Sequence, residues 1–143
     1  MCWVSNKLRP LSSSKENTPI YKIVRVNAIG GLEAYFRGSD YVLNQLYEEE
    51  LGHYFDPFIC RHFINEGIHC YSTACRFKRS PEGIFAITKD LKILYAEGEI
   101  SLDGKYYKAV VVEGYIPADS EYFENENQEI VTTKIVLTNV LDI

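Results

Sequence analysis

The alternation of apolar and polar positions reads mainly as short strands. Residues 20–26, IYKIVRV, predict a first strand with β-branched residues on both faces. Residues 93–116, ILYAEGEISLDGKYYKAVVVEGYI, carry Asp103-Gly104 between two β-rich runs. Asp-Gly is a two-residue hairpin signal, because both turn residues tolerate φ > 0. This turn sets a register of Leu102 opposite Lys105, Ile100 opposite Tyr107, Glu99 opposite Lys108, Ala96 opposite Val111 and Tyr95 opposite Val112. Pro117 ends the second arm, since it has no N–H to give a ladder. Residues 131–141 predict a strand buried on one side, with Val131, Thr133, Ile135, Leu137 and Leu141 on one face and Thr132, Lys134 and Thr138 on the other. Residues 67–71 and 84–88 add two brief strands.

Helices enter in two places. Ser72 is placed to cap residues 73–79, TACRFKR, with Ala74 and Phe77 inward and Ser80-Pro81 as the stop. Residues 39–52 read either way. Ser39 or Asp40 as cap, a stripe of Val42, Leu43, Leu46 and Leu51, and Gly52 past the end favour helix. Tyr41, Val42 and Tyr47 lean to strand, and Glu48-Glu49-Glu50 oppose the helix dipole. Residues 53–63, HYFDPFICRHF, read as an aromatic-rich loop with short extended pieces around Pro57.

The expected architecture is a polar N-terminal arm, residues 1–19, and one α+β domain, residues 20–143. Trp3 and Val4 at the tip of the arm would dock on the domain or on a neighbouring subunit. The domain is expected to be a mostly antiparallel, twisted β-sheet with one or two short helices. A chain of 143 residues, 46% hydrophobic and 24% charged, can bury a real core. Eleven Tyr and seven Phe lean it towards β structure. A net charge of −5 argues against non-specific nucleic-acid binding, which needs a basic face. No apolar run approaches the ~20 residues that span a bilayer, and the N-terminus lacks a secretory segment. Cys2, Cys60, Cys70 and Cys75 have no paired spacing, so reduced thiols and a cytoplasmic location are expected.

Candidate chemistry concentrates between His53 and Cys75. Cys60, His62 and His69 are weak metal candidates: zinc takes Cys/His pairs two to four residues apart, and this spacing does not match. His69 and Cys70 are adjacent, and neighbours on a strand point to opposite faces. No metal and no cofactor are therefore expected. Cys70 or Cys75 could act as a nucleophile beside His62 or His53, but a structural thiol beside a surface histidine explains the same residues. Asp119, Glu121, Glu124, Glu126 and Glu129 lack calcium-loop spacing and read as a solvated loop.

Five segments carry a family likeness: Tyr21-Lys22, Arg37-Gly38 with Tyr41, EGIHCYST at 66–73, VVVEGYIPADSEYFE at 110–124 and TTKIVL at 132–137. Together they resemble a family of small uncharacterised proteins of bacteriophages, prophages and gut Bacteroidetes. The likeness departs at Ala118-Asp119, where a Lys-Gly pair is common, and in an expansion between residues 78 and 105. It implies an α+β domain in a phage or mobile-element context and nothing catalytic. In motif order alone, Arg37, Tyr71-Ser72-Thr73 and Glu97-Gly98-Glu99 also resemble ADP-ribosyltransferase-like folds. That likeness would make Arg37, Tyr71, Ser72 and Glu99 the catalytic candidates of an NAD-using enzyme.

The leading expectation is an accessory or protein-interaction domain without catalysis. Tyr54, Phe55, Phe58 and Phe63 are its candidate contact surface, since aromatic rings supply large, rigid apolar area.

Overall fold

The computed structural model describes residues 3–5, 12–26, 30–33, 40–80, 83–98, 100–102 and 105–141. Its strands in chain order are β1 (Trp3–Ser5), β2 (Ser12–Ser13), β3 (Thr18–Val26), β4 (Leu32–Glu33), β5 (Asp40–Tyr41), β6 (Leu46–Glu48), β7 (Gly52–Asp56), β8 (Arg61–Glu66) and β9 (Ile68–Ser72). They continue with β10 (Arg76–Ser80), β11 (Gly83–Ile87), β12 (Ile93–Gly98), β13 (Ile100–Leu102), β14 (Lys105–Ile116), β15 (Glu121–Glu124), β16 (Glu129–Thr132) and β17 (Lys134–Leu141). Among the described residues every regular element is a strand and none is a helix, so the α+β expectation is corrected to an all-β fold.

The main sheet follows the order β2-β15-β16-β9-β3-β14-β17-β6. β16 and β17 are two halves of one strand, separated only by Thr133. Four pairings in a flat sheet would hold them about 19 Å apart, whereas two bonded steps along the chain span at most about 7 Å. The sheet therefore curls until its path returns to Thr133. There the Thr133 amide donates to the Glu121 carbonyl at 3.1 Å, and the Glu49 amide donates to the Thr133 carbonyl at 2.8 Å.

The curled sheet encloses Ile20, Val24, Ile68, Cys70, Val110, Val112, Ile116, Ile130, Ile135 and Leu137. Two small sheets, β1-β8-β7 and β10-β11-β12, cover parts of its outer face. Ile84 packs there on Ile23, Ala109 and Val111, and Ile64 packs on Val131. Arg79 ties β10 to the curled sheet by donating to the Ala109 carbonyl at 2.7 Å. The middles of β3 and β14 are thus buried on both faces, at Ile23 and Val24 and from Ala109 to Val112, which is why these positions are apolar without alternation. Gly114 marks a register shift between β14 and β17. A Cβ at this position would overlap the Val136 carbonyl oxygen.

The helix expected over 73–79 is a turn followed by strand β10. Ser72 does cap, but only one turn: its hydroxyl accepts from the Ala74 amide at 3.2 Å and its carbonyl from the Cys75 amide at 3.1 Å. Five register pairs with β11 then outweigh the local preference. Residues 40–52 form no helix: short strands at 40–41 and 46–48 are joined by a turn, and β7 begins at 52. Tyr41 is buried and meets Tyr47 edge-on at 4.9 Å, and the Val42 amide donates to the Tyr47 hydroxyl at 2.6 Å. Val42, Leu43 and Leu46, the supposed buried stripe, are exposed.

Among the described residues the central hairpin forms three pairs: Leu102 with Lys105, Ser101 with Tyr106, and Ile100 with Tyr107. Asp103, Gly104 and the Glu99 end of the Glu99–Lys108 pair lie outside the described residues. The extension to Tyr95–Val112 is corrected. Val112 already pairs with Lys22 on one edge and Val140 on the other, so β12 leaves to pair with β11, Tyr95 opposite Phe85. The last strand is also corrected. The break at Thr133 reverses facing, so Val131 packs outward while Ile130, Ile135 and Leu137 point inward.

Candidate functional site

The residues expected as an aromatic loop with short extended pieces form the β7–β8 ribbon of the three-stranded β1-β8-β7 sheet. Trp3, Val4 and Ser5 of β1 pair with Ile64, Phe63 and His62. In β7–β8, Tyr54 pairs with Phe63, Phe55 with His62, and Asp56 with Arg61. Cross-strand partners share a face, so the ribbon carries one aromatic pair on each side. The Tyr54 and Phe63 rings stack at 5.1 Å, 8° from parallel. Phe55 and His62 meet at 4.8 Å. At the turn, the Asp56 carboxylate accepts from the Phe58 amide at 2.9 Å, and Cys60 adopts φ 51° to bring the chain back. One strand end, Ile64, is wholly buried against Val131, Leu51 and Phe123. The other projects: Tyr54 and Phe55 are each 49% exposed, and Phe58 is 96% exposed beside Ile59 and Cys60. Leaving a phenylalanine in water forgoes about 1.5–3 kcal/mol of burial.

Of the metal candidates, Cys60 sits at this turn, His62 stacks on Phe55, and His69 lies in β9, its carbonyl accepting from the Lys22 ammonium at 2.6 Å. Among the described residues no three His, Cys, Asp or Glu side chains gather as a metal site. Cys70 is enclosed by the curled sheet. Burial pushes its thiol up to about 12, opposed by Lys22 and assisted by Glu124. Cys75 rises to about 11 by burial, then by Glu129 and Glu124. Both thiols stay protonated at neutral pH, the opposite of an activated nucleophile.

Of the residues taken from the ADP-ribosyltransferase likeness, Arg37 and Glu99 lie outside the described residues. Tyr71 meets Phe77 edge-on at 5.4 Å, within the packing between the curled sheet and β10. The Ser72 hydroxyl holds the turn to β10. Both have structural employment.

A second feature follows from the bend at Thr133. β15 flanks β16 and β6 flanks β17, so a kink between β16 and β17 splays their outer partners. The result is an open cleft of about 450 Å³ lined by Glu48, Glu49, Glu50, Asp119, Ser120, Glu121, Thr133 and Lys134. Sequence reading treated the two acidic stretches separately, as a helix end and a solvated loop. The carboxylate runs were visible, but nothing in the chain order places residue 50 beside residue 121.

Comparison with protein-family models, with curated proteins and with solved structures finds no match in any of the three.

Proposed function

We propose that the chain is a protein-interaction domain without catalysis, of the phage or mobile-element kind its sequence resembles, and that the β7–β8 ribbon is its contact surface. The carrying observation is Phe58, 96% exposed at the end of a ribbon whose base is buried and whose sides are stiffened by two ring pairs. A rigid aromatic knob loses little conformational freedom on docking, and such residues dominate binding energy when they enter a pocket. The segments behind the resemblance fall largely on β3, β9, β14, β15 and β17, that is, on scaffold rather than ribbon. This agrees with a shared framework presenting a variable contact.

The test is a photo-crosslinking amino acid at position 59, used in cells of the source with and without Phe58→Ser. A discrete cross-linked partner that disappears with Phe58→Ser is expected. The same adducts from both proteins would reject the ribbon as the contact surface.

A further inference from the structure

We propose that the acidic cleft between residues 48–50 and 119–121 binds a lysine- and arginine-rich peptide segment of a partner protein. This rests on observations separate from the ribbon. Five carboxylates line the cleft, with Lys134 the one basic side chain among its described lining residues. Lys134 compensates poorly: it approaches Glu48 at 4.0 Å, with both side chains largely in solvent. The carboxylates of Glu50, Asp119 and Glu121 carry no ion pair or hydrogen bond and are exposed.

An independent observation is Ser120, which lines the same cleft at 2% exposure. Its Oγ is buried without any hydrogen-bond partner. Buried hydroxyls are nearly always paired, so the wall of this cleft holds an unsatisfied polar group where a ligand would sit.

The chemistry of the occupant follows from the spread of these groups. A hard cation needs several oxygens converging within about 2.6 Å, and no three acidic side chains among the described residues do so. Separate cationic groups on one chain can each meet a carboxylate instead. A peptide is favoured over a small polyamine by the strand beside the cleft. β6 ends the sheet path, so its outer edge has no strand partner among the described residues. An extended segment can add to that edge while its basic side chains reach the carboxylates.

The test measures fluorescence anisotropy of a labelled hexapeptide of alternating lysine and arginine with the full chain. The triple variant Glu50→Gln, Asp119→Asn, Glu121→Gln is expected to bind at least tenfold more weakly, and Ser120→Ala about threefold more weakly. A charge-matched variant, Glu16→Gln, Glu66→Gln, Asp90→Asn, and Phe58→Ser should both bind as the parent does. Equal loss in the charge-matched variant, or unchanged binding by the triple variant, overturns the site. Displacement of the peptide by equimolar spermine or calcium overturns the peptide as its ligand. The triple variant alters exposed side chains only, so it decides the matter even if Ser120→Ala fails to fold.

Discussion

β14 and the β7–β8 ribbon use the same alphabet of β-branched and aromatic residues, yet they meet opposite fates. In β14, Ala109, Val111 and Val112 have no exposed surface, because the sheet curls around one face and the β10-β11-β12 sheet covers part of the other. In the ribbon, Ile64 is buried and β1 pairs along half-buried Phe63 and His62, while Tyr54, Phe55 and above all Phe58 stand in water. What separates the two is the supply of neighbours. A strand covered on both faces becomes core, while a hairpin whose faces outrun their cover becomes surface with the chemistry of core. Stability should therefore respond to β14 and its partners, and recognition to the ribbon.

The contrast can be broken most severely at Gly114. Gly114→Ala drives a Cβ into the Val136 carbonyl, and backbone cannot yield as a side chain does. A loss of about 4 kcal/mol or more is expected, read by chemical denaturation or as insoluble protein. Leu137→Ala, which opens a cavity at a site with no exposed surface, should cost about 3 kcal/mol by the same measurement. A near-neutral result at either position would mean that the curled sheet does not hold the fold together.

The next effect is one of pH. The Cys70 thiol is raised from 9.0 to about 12 in the folded chain by burial, so the folded state holds its proton more tightly than the unfolded state. The stability this confers is whole below pH 9 and is lost as pH rises from 9 towards 12. Between pH 8 and 11, Cys70→Ala should lose on the order of 2 kcal/mol less stability than the parent. Parallel losses would contradict an enclosed Cys70. A thiol probe sharpens the same point: native alkylation should modify Cys60 quickly and Cys70 and Cys75 only on unfolding. The smallest stability effect belongs to the ribbon. Phe58→Ser should shift unfolding by no more than about 0.5 kcal/mol, while removing the cross-linked partner. A large destabilisation would turn the knob into a buried anchor and reverse the comparison.

Much of the strand content was legible because period two and β-branched runs are local signals. Residues 20–26, 84–88 and the three hairpin pairs around residues 102 and 105 were read in this way. The helix at 73–79 was misread because a single capped turn looks the same whether helix or strand follows, and only pairing with β11 distinguishes them. The ribbon was read as a loop with short extended pieces, which its two strands exceed, and its four candidate aromatics were picked out by composition. The acidic cleft was not legible at all, since its two walls are some seventy residues apart in the chain.

By itself, the order of residues determined a strand-rich chain of single-domain size, the pairing of Leu102 with Lys105, and which side chains were available for contact. The tertiary structure alone decided which apolar faces would be covered, where Thr133 would bend its strand, and which carboxylates would face each other. Local preference reports only on neighbours a few positions away. Closure of a curled sheet is settled by hydrogen-bond partners and packing surfaces that arrive from distant parts of the chain.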